Sequence, residues 1–247
     1  FMIKKNFSII VYENIKTLIG ALIIAILIRS LLFQPFYIPS SSMEPTLLVG
    51  DRIFVSKYIY GYSKHSFPFS PNISNNRLFS KQPKRGDLVV FKTPADNRTD
   101  YIKRLIGLPG DTIQFIKGDL FINEKKIKRI KIKSVQKIRC GNFILDTNHY
   151  AEILPNGLKH KVVYKKNGSL QNTKKFQVPL NHYFLLGDNR DCSKDSRYLD
   201  SVGYVNNINI VGKAKIIFFS NDTNISSMIK FWKLNKSFRL ERLFKIL

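Results

Sequence analysis

Apolar positions follow two different patterns along this chain. Residues 15 to 36, IKTLIGALIIAILIRSLLFQPF, are the one long apolar stretch, and Leu18 to Ile28 contains no charge. About 20 helical residues cross ~30 Å of hydrocarbon, so the stretch predicts a transmembrane helix over 15–36 behind a short segment, 1–14. Arg29 lies near one end, where its stem can carry the charge to the interface. A cleaved leader is the rival reading, with Lys4, Lys5 and Lys16 before the apolar run and Ser40 and Ser42 as a small-x-small pair. That pair lies far beyond the run, past Arg29, Pro35 and Pro39, so we read an uncleaved anchor. The lysines ahead of it place the N-terminus inside, although Arg52 and Lys57 weaken the bias.

After residue 36 the pattern changes to short β-branched and aromatic runs bounded by Gly, Pro, Asn and Asp: DRIFVSKYIYG (51–61), GDLVVFKTP (86–94), DTIQFIKGDLFINEKKI (111–127), NHYFLLGDN (181–189) and VGKAKIIFFS (211–220). No helical pattern of comparable length interrupts them. The fold class expected is mainly β, an antiparallel domain of 37–124 and 177–220, with a hairpin turning at Lys117 to Asp119. Residues 62–85 read as a long connection, mobile or facing substrate. Residues 125–176, where Lys125, Lys126, Lys128, Arg129, Lys131 and Lys133 crowd together, read as an inserted subdomain with a solvated basic face. Residues 221–247 end in alternating basic and apolar positions, suited to a membrane interface or to packing on the domain.

The formal net charge is +24 over 247 residues. That surplus suits anionic lipid or nucleic acid and cannot choose between them; an AT-rich coding bias toward Lys, Ile and Asn accounts for part of it. With an anchor present we expect lipid and no nucleic acid. Cys140 and Cys192 have no metal-ligand spacing around them, so no structural zinc is expected, and whether they pair is open. A calcium reading of the carboxylates in GDNRDCSKDSR lacks the ligand order of an EF-hand.

Three stretches carry candidate chemistry: SSSMEPT (40–46), YIKRLIGLPGD (101–111) and GDNRDCSKDSR (187–197). Together with RGDLVVF they occur in an order that resembles the bacterial type I signal peptidases, from the anchor to about residue 220. The resemblance implies a serine endopeptidase of the bacterial inner membrane, single-pass, with its catalytic domain on the outer face, that cleaves preproteins after an A-x-A site. It implies that Ser42 is the nucleophile and Lys103 the general base. Ser40 and the Ser42 backbone N–H would form the oxyanion hole, and Ser193 would orient the lysine. Asp195 with Arg197, and Asp188 with Arg104, would be supporting ion pairs. No cofactor or metal is implied.

The chemistry makes its own demand. A serine hydroxyl needs a base within about 2.6–3.2 Å, and a lysine is a base only when neutral. An exposed lysine titrates near 10.4, so burial must depress it. Tyr101, Ile102, Leu105 and Ile106 around Lys103 fit that need, and no carboxylate should touch the amine. Cys192 stands where Asn is usual in the family, Leu199 and Asp200 replace Trp-Gly, and Asn206 replaces Pro; none removes a catalytic group. A Ser-His-Asp triad using His65, His149, His160 or His182 lacks the G-x-S-x-G elbow, and SVQK (134–137) lacks the partners of a penicillin-binding site. Two alternatives remain: an inactive membrane-tethered preprotein-binding protein, and a self-cleaving repressor-type Ser-Lys protease, whose N-terminus would hold a DNA-binding domain.

Overall fold

The computed structural model describes residues 7–71, 76–141, 143–166, 172–221 and 238–247, with side chains for all of these except 7, 8 and 133–136. Helix α1 spans Phe7–Leu31 and, at about 1.5 Å per residue, is long enough to cross a bilayer. It starts earlier and stops earlier than the expected 15–36. Its end follows from the next residues: Phe33–Tyr37 is strand β1, which pairs antiparallel with β2, Asp51–Ser56, in the register Phe33↔Ser56 to Tyr37↔Arg52. Pro35 has no N–H to continue a helix and sits without penalty on this strand at the sheet edge.

The strands continue in chain order: β3 Leu88–Lys92, β4 Asp100–Gly107, β5 Thr112–Ile116, β6 Asp119–Ile122, β7 Lys125–Lys126, β8 Lys128–Cys140, β9 Phe143–Ile153, β10 Lys159–Lys165, β11 Phe176–Gln177, β12 His182–Leu186, β13 Val205–Asn206, β14 Ile210–Ser220 and β15 Lys245–Ile246. The principal sheet runs β1-β2-β14-β3-β4-β12-β13, all antiparallel, with β15 also pairing β14. The antiparallel β class holds. GDLVVF reads as an unbroken apolar run because β3 is covered on both faces: Leu88 and Val90 join one core with Ile38, Met43, Leu47, Ile53 and Ile217, while Val89 and Phe91 join another with Tyr60, Leu105 and Leu185.

The hairpin forms as expected, β5 and β6 closing at Ile116↔Asp119 around Lys117 and Gly118. Both turn residues have positive φ, 51° and 78°, the geometry of a two-residue turn matched to strand twist. Residues 128–165 make a separate three-stranded sheet in the order β10-β9-β8, the body of the insert. It is more than a solvated face. The buried Arg190 guanidinium forks onto Glu152 of β9 at 2.6 and 3.0 Å, and Val163 of β10 exchanges backbone hydrogen bonds with Asp188 and Arg190. Cys140, at the end of β8, is disulfide-bonded to Cys192. The connection 62–85 is tied back by a bridge between Tyr62 and Leu78 and a turn at Lys64–Ser66. Of the C-terminal segment, 222–237 lie outside the described residues; 238–247 pack on the domain.

Candidate active site

Ser42 sits in a single helical turn, Ser41–Met43, just after β1. Met43 and Leu47 are completely buried in the core beside β3, which fixes the turn; burying each side chain is worth about 1.5–3 kcal/mol. Lys103 lies in the middle of β4. Its Nζ is 2.7 Å from Ser42 Oγ, a pairing of residues 61 positions apart in the chain. Ser40 Oγ is 3.3 Å from Ser42 Oγ.

Lys103 is 4% exposed, and its pKa is lowered from 10.5 to about 8, by burial first; Asp195 and Asp188 pull it back up at longer range. Among the described residues no carboxylate oxygen lies within 4.0 Å of it. Its Nζ is 5.4 Å from the centre of the Tyr101 ring.

The loop 187–197 braces this pair from behind. Asn189 donates its backbone N–H to Ser42 O at 3.1 Å and its side-chain amide to Ser41 O at 3.2 Å. Arg104 follows Lys103 on the opposite face of β4 and grips Asp188 through two bonds of 2.8 and 2.7 Å; Thr46 donates to the same carboxylate at 2.5 Å. Burial alone would raise the Asp188 carboxyl, but Arg104 outweighs it and holds the group below its ordinary range. Arg197 chelates Asp195 at 2.8 and 2.9 Å, and Asp195 accepts from Gly187 N at 2.9 Å. Both expected ion pairs are therefore present. A side chain at Gly187 has no room: its Cβ would stand 2.2 Å from Ser193 Oγ and 2.6 Å from Ser42 O.

Ser193 departs from expectation. Its hydroxyl is buried and makes no hydrogen bond to Lys103; it is aimed instead at Asp195. The reason is local packing: it is wedged against Gly187, and the lysine's hydrogen bond goes to Ser42. Behind Arg197, it helps hold the Asp195 carboxyl below its ordinary range.

Three further contributors escaped the sequence reading. Asn189 was visible only as a letter within GDNRD. The Arg190 fork on Glu152 joins the loop to the insert. Arg242 clamps the segment that follows Ser42, donating to Thr46 O at 3.0 Å and to the fully buried Asp51 at 2.5 and 3.0 Å. The alternation of basic and apolar positions near the C-terminus was the only available sign of it.

In front of the pair opens a cleft of about 700 Å³, walled by segments 36–43 and 99–103. Ile38, Met43, Val90 and Ile102 make its floor apolar; Arg139 and Gly141 bring the insert to its rim, beside Cys192 of the 187–197 loop. Among the described residues, none of the long connection 62–85 lines it. A hydroxyl bonded to a dry, depressed amine, with no histidine among the described residues lining the cleft, is the equipment of a serine endopeptidase of the Ser-Lys kind. The comparisons narrow this class: residues 11–219 match the family model of signal peptidases, peptidase S26, and the chain belongs to that family.

The relatives agree. A signal peptidase I of Rickettsia typhi is 42% identical over 241 residues, covering 90% of this chain and 88% of that protein. One from Rickettsia canadensis is 39% identical over 265 residues, covering 98% and 96%. A crystal structure of a signal peptidase I from Enterococcus faecalis is 28% identical, covers 54% of this chain and 97% of that one, and has a TM-score of 0.33. Membership makes this chain a serine endopeptidase that cleaves signal peptides, and α1 fits it as membrane-anchored. Neither the tethered binding protein nor the repressor-type protease is favoured.

Proposed function

We propose that this enzyme cuts preproteins after a small-x-small site through an acyl-enzyme on Ser42. The observation that carries the reading is the 2.7 Å contact between Ser42 Oγ and an amine depressed to about 8. Lys103 takes the hydroxyl proton as Ser42 attacks the scissile carbonyl, then returns it to the leaving amine. The same amine activates the water that hydrolyses the ester. The Ser40 hydroxyl and the Ser42 N–H receive the tetrahedral oxyanion, where loss of one donor costs about 2.7–4 kcal/mol. Arg104 with Asp188 and Arg197 with Asp195 keep the loop behind the pair rigid.

Pairing supports an extended substrate. β12 bonds to β4 only from Arg104 onward, so Asp100–Lys103 are paired by β3 alone and offer a free edge along the cleft. A peptide added there presents alternate side chains to the Ile38–Met43 floor, where small residues fit closest to the reacting carbon. The expected setting is a bacterial inner membrane of anionic lipid, crossed once, with residues before α1 inside and the β domain outside. An anchor ending at Leu31 leaves the nucleophile only a short strand away from the surface at which a preprotein's apolar segment ends.

The test is hydrolysis of a labelled A-x-A peptide in detergent by wild type, Ser42→Ala and Lys103→Ala. Cleavage after the second small residue by wild type alone is expected. Retained activity in either variant would sink the assignment.

A further inference from the structure

A second cavity, about 260 Å³, lies apart from the catalytic cleft, where α1 passes into β1. Arg29 in the last turn of the anchor and Gln34 on β1 form one side of it, and His65, residues 67–70 and residues 97–98 form others. Its lining carries four lysine and arginine side chains, Arg29, Lys57, Lys92 and Arg98, and the imidazole of His65, against one carboxylate, Asp100. That carboxylate is already bonded to Lys92 at 2.9 Å. The neighbouring Asp96 is occupied by Thr93 and the backbone N–H groups of Arg98 and Thr99.

The cavity is built rather than incidental. Lys57 is 2% exposed and spends one donor on Ser66 O at 2.6 Å. His65 is 5% exposed; its Nδ1 meets Ser70 Oγ at 2.9 Å, while its Nε2 is buried with no partner at all. An unpaired buried polar atom among crowded cations is costly unless something anionic completes it. The crowding registers on both groups. Lys57 is lowered to about 8 by burial and then by Arg29, and His65 to about 4 by burial and then by Lys64, Lys92 and Arg77. At the rim, Phe69 projects fully into the surroundings.

We propose that this cavity binds the phosphate of an anionic membrane lipid headgroup, held by Lys57, His65, Arg29 and Arg98, with Phe69 inserted among the acyl chains. The phosphate oxygens accept charge-assisted hydrogen bonds from the cations and supply the missing partner of His65 Nε2. The lipid source follows from position: a cavity whose wall includes the last turn of a membrane-spanning helix stands at headgroup depth, and an exposed aromatic beside cations is how proteins seat themselves in that layer. This rests on the membrane-anchored reading. It adds a specific docking point that fixes the β domain's tilt, beyond the general attraction of a basic chain.

Calorimetric titration of the full chain in nonionic detergent tests it, with dihexanoyl phosphatidylglycerol, dihexanoyl phosphatidylcholine and inorganic phosphate as separate probes. Saturable binding of the phosphatidylglycerol is expected, weakened about tenfold or more in Arg98→Gln and in Lys57→Gln. His65 should titrate at higher pH once the site is filled, as read by imidazole NMR. Equal binding by the variants, or none by wild type, overturns the proposal; inorganic phosphate binding as tightly as the lipid makes this a free-anion site and overturns the lipid assignment. The same preparations are assayed for peptide cleavage, which the two variants should retain. Loss of cleavage by wild type would count against the peptidase reading, and the isotherms would still decide the lipid site.

Discussion

Replacing Lys103 by Met tests the central electrostatic claim twice, through rate and through stability. The wild-type amine titrates near 8 when folded and near 10.5 when unfolded. Between those values the unfolded chain holds more protons, so wild-type stability rises with pH across the window and is at its lowest below it. The shift of about 2.5 units corresponds to ~3 kcal/mol of cost at neutral pH. Met fills nearly the same volume without charge. It forfeits the hydrogen bond to Ser42, about 1 kcal/mol. Lys103→Met should therefore be about 2 kcal/mol more stable than wild type at neutral pH, with the advantage gone by about pH 10. Denaturant unfolding in detergent, followed across this range, measures it. In parallel, wild-type kcat/KM should climb through a limb near 8 and level off, while the variant is inactive. At pH 7 about a tenth of the amine is then neutral, against fewer than one in a thousand for an unperturbed lysine. A limb near 10, or an advantage over wild type no larger at pH 7 than at pH 10, refutes the argument.

Three other outcomes follow from the contacts. Gly187→Ala should lower kcat sharply with little change in KM, because the new methyl displaces Ser193 or the Ser42 carbonyl; stopped assays on the A-x-A peptide would read it. Arg242→Ala leaves the buried Asp51 without its guanidinium and should cost about 3–5 kcal/mol in denaturant melts, with partial rescue by Lys. Cys140→Ser opens a loop closed over 52 residues, which chain entropy values at up to about 4 kcal/mol; reducing agent should lower the wild-type melting point toward that of the variant and leave the variant unchanged.

The sequence displayed what is local and periodic. The anchor, the β3 run, the hairpin at Lys117 and the serine turn each depend on neighbours within a few residues. Lys103 could be read as buried because its own strand neighbours are apolar. The helix end was misplaced because β1 is held by pairing to β2, which the apolar run does not encode. The insert's clamp, the Cys140–Cys192 bond and the Arg242–Asp51 pair join positions 38, 52 and 191 residues apart. A single chain of letters carries no sign of which distant charges meet. Ser193 shows the converse: its motif placed it on the lysine, whereas its hydroxyl serves Asp195.

The clamp by Arg242 has a consequence for how the enzyme comes into being. A ribosome delivers Ser42 and Lys103 long before residue 242, and until then Asp51 is a carboxylate in search of a cation. The segment carrying Ser42 thus gains its last fastening only from a residue made almost two hundred positions later, so its final rigidity is a property of the finished fold and not of the nascent N-terminal part.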